Sequence, residues 1–266
     1  MSELANQYFC KFAAAFVRGH FATNFVRGHF ATDDQKPANQ SRQKSKQNKS
    51  GTVNLKERLG AEQTYLLSAP LEELSQAQLE ELILLGKTCG LNLHKFKKTM
   101  GLARVQSVLG MLQNIQPENM LDLGSGRGVF IWPFLDAFPD VQLTCVDMSP
   151  IRVRDLNAVH AGGITQLSAV ESDICDLKFE DHSFDVVTFL EALEHIQDTE
   201  KAIRSALRVS RRFLIISVPS HEDDNDEHIH LFDKDTIQTL LKKCGVNKMN
   251  FHYVLNHMIV LANLSS

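Results

Sequence analysis

Three glycines at alternate positions, in Leu121-Asp-Leu-Gly124-Ser-Gly126-Arg-Gly128-Val129, form the stretch of this sequence best suited to hold a ligand. Glycine lets a backbone turn sharply and approach a bound group with no Cβ in the way. A dinucleotide loop reads G-x-G-x-x-G so that pyrophosphate can rest on a helix N-terminus; counted from Gly124 and Gly126, that third place holds Val129. The spacing here is D-x-G-x-G-x-G. Asp122, two residues before the first glycine, would repel pyrophosphate and suits a ligand bearing an ammonium or sulfonium group. A second acid, Asp147, ends the apolar run Val141–Asp147 and lies 19 residues beyond Gly128. A carboxylate at a strand end there can accept two ribose hydroxyls at once.

A different chemistry is offered by Phe184-Asp-Val-Val-Thr-Phe-Leu-Glu191-Ala-Leu-Glu194-His195-Ile-Gln-Asp198. If the stretch is helical, residues i, i+3 and i+4 share a face, so Glu191, Glu194 and His195 converge. Two carboxylates and an imidazole suit Mg²⁺ or Mn²⁺, with a fourth ligand from His228 or His230, and such a metal could lower the pKa of an acceptor hydroxyl. Without metal, His195 is a polar contact or a general base, or serves structure alone. The acidic string 222–227 and Glu171 read as a solvated loop or lid rather than catalytic acids.

The elements that must position these groups follow from periodicity. After Pro117, apolar runs at 120–123, 141–146, 184–190 and 213–218, with a weaker one at 164–168, alternate with helical stretches near 127–137, 150–159, 199–209 and 234–244. Such alternation implies βαβ units and a mostly parallel sheet covered on both faces. Residues 249–254 and 257–261, separated only by Leu255-Asn256, read as an antiparallel hairpin closing the sheet. The expected fold is therefore α/β: a Rossmann-like, doubly wound sheet of seven strands, mostly parallel, with an antiparallel C-terminal hairpin and N-terminal helices. One of those helices is capped by Ser75, with apolar Leu79, Leu82, Leu84 and Leu85 and an end at Gly86 or Gly90. A second is expected from about His94 to Ile115, with Lys95, Lys97 and Lys98 on a basic face and Val105, Val108, Leu109 and Leu112 toward the core.

Upstream, an octapeptide occurs twice, at 16–23 and 25–32, separated by Asn24; it reads as a duplicated patch of helix or tail, or as a basic aromatic strip for nucleic acid or a partner. Residues 33–56, rich in Gln, Lys, Ser and Asn, read as a disordered linker. Three regions result: a basic, largely disordered tail at 1–56, a helical lead-in at 57–96, and the main domain at 97–266. The formal net charge of −4 over 266 residues averages these unlike parts, because residues 1–60 hold 10 Lys/Arg against 4 Asp/Glu, a balance of +6. The remainder carries −10. Five scattered cysteines with no C-x-x-C pair suggest neither a disulfide framework nor a zinc finger. No apolar run reaches the length of a membrane span, and a cytoplasmic location is the expectation.

Taken in order, the glycine loop, Asp147, Glu171-Ser-Asp173-Ile174 and the alternating elements resemble the class I S-adenosylmethionine-dependent methyltransferases over roughly residues 97–262. The resemblance implies S-adenosylmethionine as cofactor, with Gly124, Gly126 and Gly128 along its methionine portion, Asp122 near its amino group and Ser125 also among the cofactor-binding residues. It further implies Asp147 at the ribose, Asp173 at the adenine amine and Ile174 on the ring, with Met148 also among the cofactor-binding residues. The E-x-x-E-H of residues 191–195 resembles both ubiquinone-biosynthesis O-methyltransferases and small-RNA terminal 2′-O-methyltransferases. O-methylation of a small molecule, with His195, Glu194 and Glu191 as catalytic groups, is the leading expectation. The metal, where bound, would take Glu191, Glu194, His195 and His230. The alternatives are metal-assisted methylation of RNA, 2′-O or terminal, with the basic tail as grip, against which the −10 body speaks, and a non-catalytic methyltransferase-fold binding protein.

Overall fold

The computed structural model describes residues 7–27, 60–98, 102–221 and 226–265, with the side chains of 23–27 left out. Five parallel strands, β1 (Asn119–Leu123), β2 (Gln142–Asp147), β3 (Leu167–Glu171), β4 (Phe184–Leu190) and β5 (Ser210–Pro219), lie in the order β3-β2-β1-β4-β5. The sheet is completed by the antiparallel hairpin β6 (Lys248–Val254) and β7 (His257–Asn263), with β7 against β5 and β6 at the edge. This is the expected seven-stranded sheet. The 164–168 run begins pairing only at Leu167, and β5 starts three residues earlier than its apolar run.

Side-chain alternation sends successive strand residues to opposite layers. Met120, Cys145, Val186 and Ile215 enter one core, whereas Leu121, Val146, Val187 and Leu214 enter the other. The second core is closed by α7 (Thr199–Val209) and α8 (Lys234–Lys243), through Ile203, Ala206, Ile237 and Leu241. The first is closed by α4 (Ala103–Ile115), α5 (Ile131–Ala137) and α6 (Pro150–Ala161), with α1 (Cys10–Arg27), α2 (Ala61–Ser68) and α3 (Gln76–Thr88) packed outside them.

The N-terminus corrects the expected disordered tail. Helix α1 buries Phe12, Ala13, Ala14, Ala15, Phe16, Val17 and Phe21 between α6 and α3. A Cβ on Gly19 would meet the Ala158 carbonyl oxygen at 1.8 Å, and one on Gly162 would meet that of Ala15 at 1.8 Å, so the two backbones cross almost in contact. The charge balance of residues 1–60 hid this helix because between residues 10 and 22 the only Lys/Arg are Lys11 and Arg18, and a helix apolar nearly all round is a buried helix. Phe16, Val17, Gly19, His20 and Phe21 of the first octapeptide are thus buried. The second and the 33–56 linker lie outside the described side chains.

Two helix expectations change as well. Ser75 caps α3 as read, but Leu84 is exposed and Ile83 takes its place in the core. Gly86 lies within the helix against Val17 rather than ending it. The single helix from His94 to Ile115 is not formed: a short 3₁₀ turn at His94–Phe96 gives way to an extended Lys97, and α4 begins at Ala103. The cause is competition for backbone groups. Phe9 N–H donates to the Phe96 carbonyl, Lys98 N–H to that of Gln7, and Tyr8 bridges Lys97, so the chain before α1 takes bonds a helix would have used.

Candidate active site at the carboxyl edge of the sheet

Strand β1 ends with Asp122 and Leu123 paired to Cys145 and Val146 of β2, and the chain turns immediately. The glycines adopt left-handed φ of 73°, 55° and 82° at Gly124, Gly126 and Gly128. Their reasons differ. A Cβ on Gly124 would strike the Ala192 side chain at 2.5 Å, and one on Gly128 would strike the Trp132 indole at 2.5 Å. At Gly126 the nearest atom would be 3.8 Å away, so its missing side chain leaves open room beside the loop, which is what a close-lying ligand requires.

Asp122 is buried, and Thr188 Oγ1 donates to its Oδ1 at 2.7 Å. Burial pushes its carboxyl up to about 6, while hydrogen bonds from Thr188 and Ser125 oppose the rise. Ser125 Oγ donates to the Asp122 carbonyl and holds the turn. Asp147, also buried, accepts from Gly126 N–H at 2.9 Å, Ser149 N–H at 2.8 Å and Arg152 at 3.3 Å. A carboxylate has about four acceptor positions, so of these three donors only the half-exposed Arg152 side chain is exchangeable without breaking the loop. Beyond it, Met148 is exposed at the strand end, Ile174 is buried, and Asp173 accepts from Cys175 N–H at 2.8 Å, opening a 3₁₀ turn. The cofactor-side residues are therefore gathered along one sheet edge. The open room at Gly126, the buried carboxylate at Asp122 and the acceptor at Asp147 fit a zwitterionic, ribose-bearing ligand.

A cavity of about 160 Å³ adjoins this loop, lined by Asp122, Gly124, Gly126, Glu191, Ser217 and Arg104 among others. The E-x-x-E-H stretch that borders it is not a helix. Glu191 has φ 53°, a left-handed conformation for a non-glycine residue, and only a 3₁₀ turn, Leu193–His195, follows. Strain of that kind recurs at functional sites. Glu191 accepts from Ser217 Oγ at 2.5 Å, pairs with His257 Nε2 at 2.9 Å, and has Arg104 Nε 3.7 Å away. His257 was not among the expected site residues. The hairpin reading carried the signal for it, because the first residue after Leu255-Asn256 stands opposite Pro219 at the carboxyl end of β5.

The expected metal set does not assemble. Glu191 is engaged as described, and His230 Nε2 lies 3.0 Å from the Ile196 carbonyl. Among the described residues, the potential ligand atoms that gather are those of Glu194, His195 and His228, all within 4.8 Å of one another. Glu194 is buried, and His195 Nδ1 lies 2.9 Å from the Glu227 carbonyl oxygen. One carboxylate with two imidazoles suits a nitrogen-preferring transition ion better than Mg²⁺. None of these three residues lines the 160 Å³ cavity.

Comparison with known proteins bears on the same segment. The family described as a methyltransferase domain matches residues 121–213, from the end of β1 into β5. Residues 121–213 carry a methyltransferase domain, in the fold of the class I S-adenosylmethionine-dependent methyltransferases. This domain is 32% identical over 108 residues to ajmaline N-methyltransferase of Rauvolfia serpentina, covering 40% of this chain and 37% of that protein. It is 30% identical over 109 residues to a ubiquinone biosynthesis O-methyltransferase of Vibrio cholerae, covering 40% and 43%. The matched segment spans less than half the length of either relative. A S-adenosylmethionine-dependent methyltransferase from Aquifex aeolicus shares the methyltransferase fold, with a TM-score of 0.53 at 16% identity over 62% of this chain and 92% of that one. Among the described residues, no helix is long and apolar enough to cross a membrane.

Proposed function

We propose that this chain transfers the methyl group of S-adenosylmethionine to a hydroxyl oxygen of a small molecule. The observation that carries the reading is the Glu191–His257 pair at 2.9 Å, because Glu191 lines the same cavity as Asp122 and Gly126. S-adenosylmethionine supplies an activated methyl group on a sulfonium.

The residues of the chain have three tasks. Asp122 faces the donor's ammonium group and Asp147 its ribose hydroxyls, with Gly126 giving the close approach, so that the donor is held in one orientation. Arg104 and Ser217 border the space beyond Glu191, where an acceptor hydroxyl meets the donor in line; positioning of this kind supplies much of the acceleration. Of the Glu191–His257 pair it is Glu191 that faces the cavity; the pair takes the hydroxyl proton through the Glu191 carboxylate and leaves it on His257 as the new oxygen–carbon bond forms and the sulfur–carbon bond breaks. Glu191 then stabilises the resulting imidazolium. A compact cavity at the sheet edge favours a small acceptor, and the O-methyltransferase relative favours oxygen, although a relative named for N-methylation is of similar identity.

The test is transfer of labelled methyl from S-adenosylmethionine into an extract separated into RNA, protein and small molecules, together with calorimetric binding of the donor. Label in the small-molecule fraction is expected. Label confined to RNA or protein, or absence of donor binding, sinks the reading.

A further inference from the structure

A second cavity of about 260 Å³ lies beside the first and shares Val105, Arg127 and Val129 with it. Its apolar wall includes Phe9, Leu102, Trp132 and Pro133, and its charged side chains are all basic: Lys95, Lys97 and Arg127, with His94 beside them. Lys95 is committed to Asp155, but Lys97 and Arg127 make no ion pair with any described residue. In a body whose formal charge is −10, the described lining of this cavity holds no acid. Trp132 adds an independent observation. Its indole N–H is buried and has no hydrogen-bond partner among the described residues, and it lies against Gly128 of the cofactor loop. The nitrogen is turned to the glycine loop, so what the indole offers the second cavity is its apolar ring. Phe9 reaches this wall because the chain before α1 is bonded to Phe96, and Lys98 lies 5.5 Å over its ring.

We infer that this second cavity holds the methyl acceptor, and that the acceptor is an organic anion: a flat apolar body against Phe9 and Trp132, bearing a carboxylate or phosphate group held by Lys97 and Arg127. The inference rests on the methyl-transfer reading and names its substrate class. Val105, Arg127 and Val129 line both cavities, so the two spaces adjoin, and a molecule anchored at Lys97 extends toward the cavity of Asp122 and Glu191.

The experiment uses the full chain, labelled S-adenosylmethionine and a protein-free, low-molecular-mass cell extract. After chromatographic removal of residual donor, the product is passed over an anion exchanger. Label retained on the exchanger is expected, with Lys97→Glu lowering incorporation at least tenfold while calorimetric affinity for the donor, which also reports folding, stays within twofold. Phosphatase treatment separates the two anions: a phosphate product moves to the flow-through and a carboxylate product stays. Wild-type label in the untreated flow-through, or unchanged incorporation by Lys97→Glu, overturns this inference and leaves methyl transfer standing. Absence of label in every fraction, or of donor binding, overturns the reading beneath it.

Discussion

The carboxylate of Glu191 stands 2.9 Å from Nε2 of His257, joining the end of β4 to the start of β7 across the edge of β5. If that pair handles the acceptor proton, His257→Gln lowers kcat by about 10²–10³-fold and leaves donor affinity within a few-fold. Ser217→Ala, which removes one hydrogen bond to the same carboxylate, has a smaller effect. Single-turnover methyl transfer alongside calorimetry checks the split; equal losses in binding and rate would assign His257 to the fold instead.

Asp122 predicts a pH dependence. Burial raises its carboxyl from the ordinary 3.8 to about 6, so the folded protein holds this proton more tightly than the unfolded chain. The associated stability is present below the unfolded value, is lost as pH rises toward 6, and amounts to about 3 kcal/mol at most. Asp122→Asn is expected to raise the melting temperature of the ligand-free protein at pH 7.5, and to raise it less at pH 5. Donor affinity of the wild type tightens as pH rises through about 6, where the carboxylate becomes able to meet an ammonium group, and Asp122→Asn flattens that profile. Thermal denaturation and calorimetry at several pH values test both.

Asp147 and Arg152 are expected to separate in binding assays. Asp147→Asn disturbs acceptors for Gly126 and Ser149 as well as the ribose, and weakens donor binding by roughly tenfold or more, about 1.4 kcal/mol upward. Arg152→Ala removes only the exchangeable contact and changes affinity less than threefold. A large loss on Arg152→Ala would make that side chain part of the binding site.

Two glycine substitutions of identical chemistry should have opposite signs. Gly19→Ala places a Cβ 1.8 Å from the Ala158 carbonyl and forces α1 from α6, at a cost of about 3 kcal/mol or more. Gly110→Ala, inside α4 with nothing within 4 Å, stabilises by about 0.5–1 kcal/mol. Chemical denaturation of both variants measures whether α1 belongs to the cooperative unit.

Strand and helix periodicity, the D-x-G-x-G-x-G loop and the acid ending β2 are local patterns, and from them alone the sequence determined the seven-stranded sheet, the left-handed turn after β1 and the edge where Asp122 and Asp147 stand. What escaped it were particular side-chain contacts between segments far apart in the chain. Charge balance over the first sixty residues concealed α1, because burial depends on the groove between α6 and α3 and not on average composition. Helical spacing brought Glu191, Glu194 and His195 together on paper. In the folded chain a left-handed Glu191 breaks that spacing, and its partners come from Ser217 and from His257, residues delivered by other strands. Periodicity reports which side of its own element a residue occupies; which foreign side chain meets it is decided by sheet order and register, and here that decision selected His257.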